Sequence, residues 1–180
     1  MSNQKNQNTE EQQVSSESFG HTLDSPDQEQ IDARIAILSQ IHREDDPEFY
    51  SVAQLLNIGL TYKDLGNLET AINVWSRIRR EDNPEIYSVA QLNLGLIYKD
   101  IGDLKTATIA WSNIHYEDNP ETYAGAQLCF GMVYQCEGNL ENAIAAWSNV
   151  RRKDSSTTYA QSQLNIGLAY KELGNLDSAI

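Results

Sequence analysis

Basic side chains are scarce in this chain of 180 residues. It contains 13 Lys and Arg against 26 Asp and Glu, which gives a formal net charge of −13. Because so acidic a surface repels phosphate groups, the composition predicts no nucleic acid and no membrane surface as partner and favours a basic or apolar one. The longest basic run, Arg151–Lys153, is followed directly by Asp154 and does not form a basic patch.

Cysteines and long apolar runs are also scarce. Cys129 and Cys136, the only two, would lie ~10 Å apart along one helix, beyond the ~7 Å Cα separation that a disulfide tolerates. Residues 1–11 are polar without the apolar core of a secretory signal, and no run approaches the ~18 apolar residues of a membrane span. The sequence therefore predicts a cytoplasmic protein with two reduced thiols, which are small, partly buried side chains rather than redox groups.

Catalytic and metal-binding motifs are missing. His42 and His115 have no second histidine four residues away, as a zinc motif requires. The acidic clusters Glu44–Asp46 and Glu81–Asn83 lack the spacing and the glycine of a calcium loop. No glycine-rich phosphate loop and no nucleophile elbow occurs. The sequence predicts that the protein is not an enzyme and holds no cofactor or metal.

Residues 1–28 differ in composition from the rest of the chain. They are rich in Gln, Asn, Ser and Glu, and their only larger apolar residues are Val14, Phe19 and Leu23. Such a segment cannot bury enough surface to offset the entropy of ordering its backbone. We predict a disordered N-terminal tail over residues 1–28.

After the tail, the sequence repeats itself every 36 residues. Several residue types share this spacing, which is typical of a solenoid or another repeat array: Trp75, Trp111 and Trp147; Tyr62, Tyr98, Tyr134 and Tyr170; Gly59, Gly95, Gly131 and Gly167; Gly66, Gly102, Gly138 and Gly174. The prolines Pro47 and Pro84 are 37 apart, so the first unit carries one extra residue in its first helix, absorbed by a bulge or a shifted helix start.

Each unit is predicted to form two helices joined by a tight turn. Asn83 and Pro84 are typical of a helix start, and Gly102 is typical of a helix end, followed by Asp103 as the cap of the next helix. A pair of short helices cannot bury both apolar faces alone, so neighbouring units must stack. The predicted fold is all-α, an α-solenoid of stacked helix-turn-helix units. Its repeat domain covers 29–180, with a capping helix at 29–43, repeats at 47–82, 83–118 and 119–154, and an incomplete repeat at 155–180.

The unit resembles the tetratricopeptide repeat (TPR). The residues that carry the resemblance in the second unit are Leu94, Gly95, Tyr98, Gly102, Leu104, Ala107, Trp111, Ile114 and Pro120. The familiar repeat has about 34 residues, and we place the two extra residues in the loop near Glu117 and Asp118. Gly95 and Ala107 are expected where the helices of one hairpin cross, and Trp111 is expected between that hairpin and the next.

The resemblance implies a concave surface, lined by the first helices, that grips a peptide or a helix of a partner protein. Three asparagines would form a ladder of amides able to bind a peptide backbone; alternatively, they recur only because the whole repeat is copied. Lysines flank the ladder, and an apolar series either makes the groove partly apolar or, for several of its members, packs into the core. The predicted binding residues are Asn57, Asn93, Asn165, Lys63, Lys99, Lys171, Leu60, Leu96, Met132 and Leu168.

The sequence is also compatible with two other functions. The chain stops one turn into the second helix of its last unit, and the apolar face left open there would allow self-association. The protein would then be a structural or self-assembling element. Alternatively, it is a regulatory fragment of a larger multidomain protein.

Overall fold

The computed structural model describes residues 47–174, with side chains from Val52 onward. Within this range the chain forms seven α-helices and no strand, which confirms the predicted all-α solenoid. The predicted tail at 1–28 and the capping helix at 29–43 lie outside the described residues. The helices are α1 Pro47–Asp64, α2 Leu68–Trp75, α3 Pro84–Asp100, α4 Leu104–Ser112, α5 Pro120–Cys136, α6 Leu140–Ser148 and α7 Ser156–Glu172.

Side-chain caps start the helices where the sequence predicts. The Oδ1 atom of Asn83 accepts a hydrogen bond from the Ile86 N–H at 2.8 Å, and Pro84 then occupies the first helical position. Asn119 and Pro120 repeat this arrangement at α5. Because the first N–H groups of a helix have no partner within it, these caps fix the start of each long helix at one residue.

A glycine ends each long helix. At α3, Gly102 has φ +87°, its N–H donates to the Lys99 carbonyl at 3.0 Å, and the Asp103 N–H donates to the Tyr98 carbonyl at 2.8 Å. This left-handed position suits glycine, because a Cβ would strain the backbone there. Asp103 then caps α4 by accepting from the Thr106 N–H at 3.0 Å. The turn is therefore specified by two adjacent residues.

A tryptophan and a glycine join the two helices of each hairpin. The Trp111 indole lies directly on Gly95, so that a Cβ at Gly95 would overlap the ring. The indole Nε1 donates to the Leu92 carbonyl at 3.3 Å, and the ring meets Phe130 of the next hairpin edge-on at 5.8 Å. Trp75 and Trp147 contact Gly59 and Gly131 in the same way. The expected crossing at Gly95 is confirmed, and Trp111 contacts both hairpins.

The long helices form one layer and the short helices another. Each long helix contacts the long helix of the next unit, whereas α2, α4 and α6 do not contact one another. We refer to the surface formed by the row of long helices α1, α3, α5 and α7 as the inner surface and to the side of the short helices as the outer surface.

The extra residue of the first unit lengthens α1 without a bulge. Helix α1 has 18 residues, whereas α3, α5 and α7 have 17 each. From Leu56 onward the register matches the other units, since Trp75 bonds to a carbonyl 19 residues earlier just as Trp111 does. The addition therefore lies upstream of Leu56, within a continuous helix.

Hydrogen bonds also link the loops of successive units. The Arg80 guanidinium donates to both carboxylate oxygens of Asp118, at 2.6 and 2.8 Å, and the side chain of Asp118 is only 5% exposed. In the next pair of units, the Tyr116 hydroxyl donates to Asp154 at 3.0 Å. Both contacts join residues 38 positions apart. We name this recurring contact the loop clasp; its second member lies in the region where the longer repeat was expected to carry its extra residues.

One buried polar atom is unsatisfied, and this makes a stability prediction. Ser162 in α7 is fully buried, and its Oγ has no hydrogen-bond partner among the described residues. Equivalent positions in the earlier units hold Ala90 and Ala126, both buried. Removing an unsatisfied buried hydroxyl recovers its desolvation cost, so we expect Ser162→Ala to raise the free energy of unfolding by about 1 kcal/mol in urea denaturation.

A matched control separates this effect from helix propensity. Ser88 is also fully buried, but its Oγ donates to the Pro84 carbonyl at 2.9 Å. Ser88→Ala gains the same propensity and loses a satisfied hydrogen bond, so we expect little net change. Equal stabilisation by both substitutions would show that the gain comes from propensity alone.

Candidate functional site

An apolar residue recurs on the inner surface, once in each long helix. Leu60, Leu96 and Met132 each follow a glycine that faces a tryptophan, and Leu168 follows the equivalent Gly167, so each lies about 100° around the helix axis from that glycine. Met132 and Leu168 are 42% and 50% exposed, whereas Leu60 and Leu96 are half-buried against the core. We name this series the apolar band: Leu60, Leu96, Met132 and Leu168.

The three predicted asparagines have different surroundings. Asn57 is exposed and forms no side-chain hydrogen bond with any other described residue. Asn93 is 9% exposed, its Nδ2 donates to the Val89 carbonyl at 2.9 Å, and its Oδ1 accepts from Lys63 Nζ at 3.3 Å. Asn165 is half-buried and accepts from Gln161 at 3.1 Å. The amides are therefore not equally available to a ligand.

Two of the predicted lysines are bound within the chain. Lys63 reaches Asn93 in the next unit, and Lys99 Nζ lies 3.1 Å from a carboxylate oxygen of Asp100. Lys171 is exposed near the end of α7. The structure thus brings Lys63 to an asparagine of the next unit and pairs Lys99 with the acid that follows it.

The third unit carries soft, uncharged side chains where the other units carry polar ones. Cys129 replaces the asparagine, and Cys136 replaces the acid that follows the band residue by four positions. Burial raises the pKa of the Cys129 thiol to about 11, and of the two smaller effects the charge of Lys99 lowers this pKa while that of Asp100 raises it. Cys129 therefore stays a neutral thiol at physiological pH. Both cysteines are free, as their spacing predicts.

Exposed carboxylates lie on the same helical stripe as the apolar band. Glu85 and Glu121 precede Leu96 and Met132 by eleven residues, which is about three helical turns. Three further acids follow a band residue by four positions and so lie one turn beyond it: Asp64, Asp100 and Glu172. The inner surface therefore has an apolar centre between acidic ends.

A groove on the outer side escaped the sequence analysis. It has a volume of about 330 Å³, and its lining includes the aromatic side chains of Phe130 and Tyr134. Ala145 lines it where the second unit has the larger Ile109, which is 54% exposed. The small residue at position 145 is the only signal that the sequence offers for this groove.

Between residues 47 and 174, no group of three or more His, Cys, Asp or Glu side chains is arranged to hold a metal ion. None of the helices in this range combines the length and apolar character that crossing a membrane requires.

Comparisons with known proteins agree with this architecture. A sequence profile of the tetratricopeptide repeat matches residues 55–74 and 160–180. Two crystal structures of MamA superpose with TM-scores of 0.58 and 0.57, each at 25% sequence identity. They cover 83% and 84% of this chain and 82% and 78% of theirs. No curated protein sequence matches significantly. Two stretches of the chain thus match the tetratricopeptide repeat, and the array as a whole resembles the fold of MamA, which supports a scaffold for protein–protein interaction.

Proposed function

We propose that the inner surface of the array binds a peptide or a helix of a partner protein. The observation that carries this proposal is the layer arrangement, in which each long helix contacts the long helix of the next unit whereas the short helices do not contact one another. Their inner stripe bears the exposed Asn57, Met132 and Leu168, three of the residues that the sequence analysis selected. An exposed apolar series bordered by polar groups is typical of a protein-binding surface.

The experiment compares cross-linking from the inner and the outer surface. A photoreactive amino acid is placed at Asn57 or Met132 on the inner surface, and in matched variants at Ile109 or Asn142 on the outer surface. All four residues are exposed, so the substitutions should leave the fold intact. We expect a partner to be cross-linked from the inner positions in the source cells and not from the outer ones.

The other outcomes separate the alternatives. Cross-links formed only from the outer positions would contradict the proposal and direct attention to the groove beside Ala145. Cross-links between two copies of the chain, with no other partner, would favour a self-assembling element. The asparagine ladder is tested with the double variant Asn57→Ala/Asn165→Ala, which leaves the internal hydrogen bonds of Asn93 in place. If cross-linking is unchanged in this variant, the two amides do not contribute to binding.

A further inference from the structure

The binding strength of the inner surface depends on where side chains remain free to contact a ligand. Asn93 already has partners for both polar atoms of its amide, and Asn165 has one for its oxygen. In the third unit the amide is replaced by Cys129, a neutral thiol that offers only a weak donor. A continuous ladder of free amides is therefore not present, and polar contacts with a peptide backbone would be interrupted at the centre of the array.

Within the apolar band, the members of the third and fourth units are the exposed ones, and the fourth unit is the last that the structure describes. Met132 and Leu168 are 42% and 50% exposed, while Leu60 and Leu96 are already packed against the core. Beyond Glu121, the inner stripe of α5 consists of Gly125, Cys129, Met132 and Cys136, so no charged side chain of α5 must be desolvated when a ligand covers the part around Met132. The desolvation cost of binding an apolar side chain is therefore lowest beside Met132 and Leu168.

The spacing of the band favours a helical ligand over an extended one. Neighbouring packed helices lie about 8–10 Å apart, so consecutive band residues should be separated by a similar distance. Residues seven positions apart on a helical ligand are about 10.5 Å apart and share one face. On an extended ligand, residues of one face are about 6.6 or 13 Å apart, and neither distance matches.

The acidic side chains of the inner surface favour a ligand helix whose other face is basic. Five exposed carboxylates lie on the inner stripes, against the three lysines Lys63, Lys99 and Lys171, and one of the five, Asp100, is already paired with Lys99. The chain as a whole has a net charge of −13. Basic side chains on the ligand would therefore be attracted to the acidic ends of the stripe and would speed its association.

We infer that the partner segment is a basic amphipathic helix, whose apolar side chains are anchored on Met132 and Leu168. This inference rests on the proposed function and adds the class of ligand and the residues that anchor it. The two anchors lie one unit apart on α5 and α7 and accept apolar residues at positions i and i+7 of the ligand helix. Asp64, Asp100 and Glu172 face its basic flank.

The test uses a defined probe, an 18-residue peptide of leucine and lysine with all leucines on one helical face. Its affinity for the full chain is measured by fluorescence anisotropy, after circular dichroism has shown that each variant is folded. We expect Met132→Ala/Leu168→Ala to weaken binding about tenfold or more, because two apolar contacts are lost. Ile109→Ala, which shortens an equally exposed residue on the outer surface, should change the affinity less than twofold, and Met132→Leu should retain it.

Two control peptides exclude simple attraction to an acidic protein. A scrambled peptide keeps the composition but not the apolar face, and a leucine–glutamate peptide keeps the face but reverses the charge. Both should bind at least tenfold more weakly. Equal binding of the scrambled peptide, or equal effects of the inner and outer substitutions, would overturn the inference.

The inference and the proposed function fail differently. If the peptide is cross-linked from position 57 or 132 but Met132→Ala/Leu168→Ala binds it normally, the peptide binds at the inner surface without being anchored on Met132 and Leu168. The inference is then wrong, and the proposed function is retained. If the peptide is cross-linked only from positions 109 or 142, the proposed function itself is wrong.

Discussion

Gly95→Ala should destabilise the protein by about 2–4 kcal/mol, even though alanine is the better helix former. The new Cβ would overlap the Trp111 indole, which is 1% exposed and has no free space to move into. Loss of a tryptophan from its place in the core costs about 3–5 kcal/mol, and the higher propensity of alanine returns about 1 kcal/mol. Urea unfolding followed by tryptophan fluorescence and circular dichroism measures the difference.

The control for this prediction is a glycine in the same unit. Gly102 has φ +87°, and no atom lies within 4 Å of the position that a Cβ would take. Gly102→Ala should therefore lower the free energy of unfolding only by the strain of the backbone, about 1 kcal/mol. A double-mutant cycle with Trp111→Leu isolates the contact. Gly95→Ala should cost little once the indole is gone. Equal costs in the two backgrounds would mean that the clash is relieved in another way.

Much of the fold could be predicted because each level of the sequence indicates the same structure. Asn83 and Pro84 specify a helix start, and Gly102 with Asp103 specifies the turn that follows. The 36-residue spacing of Trp111 and its equivalents shows that every unit repeats this arrangement. These are local signals or exact repeats, and neither needs knowledge of the tertiary packing.

The burial and the hydrogen bonding of the candidate-site residues could be predicted only in part. The spacing of the repeat identified Leu96 and Met132 as equivalent, but only the packing shows that one is half-buried and the other exposed. Equally, Asn93 looks identical to Asn57 in sequence, and its bond to Lys63 depends on a side chain from a neighbouring unit. Such differences between copies arise from contacts across 30 residues, which periodicity does not encode.

The loop clasp carries the second large effect that we expect, and it is specific to the longer repeat. Asp118→Asn removes the charge that Arg80 pairs with across two units, and the melting temperature should fall by several degrees at pH 7. Bidentate bonds between a guanidinium and a largely buried carboxylate are among the stronger hydrogen bonds in proteins. In a repeat array, stability depends on the coupling between neighbours, so the unfolding transition should also become broader.

The pH dependence of this effect follows from the carboxylate. The hydrogen bond from Arg80 holds the pKa of Asp118 below its usual range, so folding favours the ionised form. Its contribution is therefore complete above the unfolded pKa, about 3.9, and is lost as the pH falls through the lower pKa of the folded state. The melting temperatures of wild type and Asp118→Asn should accordingly differ at pH 7 and converge at acidic pH.

Asp82→Asn provides the control within a single loop. Asp82 pairs with Arg79 three residues away, at 3.0 Å, and this pair joins no two units. Its loss should lower the melting temperature slightly and leave the width of the transition unchanged. If Asp82→Asn and Asp118→Asn gave the same shift and the same width, the clasp would contribute only a local ion pair. A broader transition for Asp118→Asn alone would show that the longer loop couples one repeat to the next.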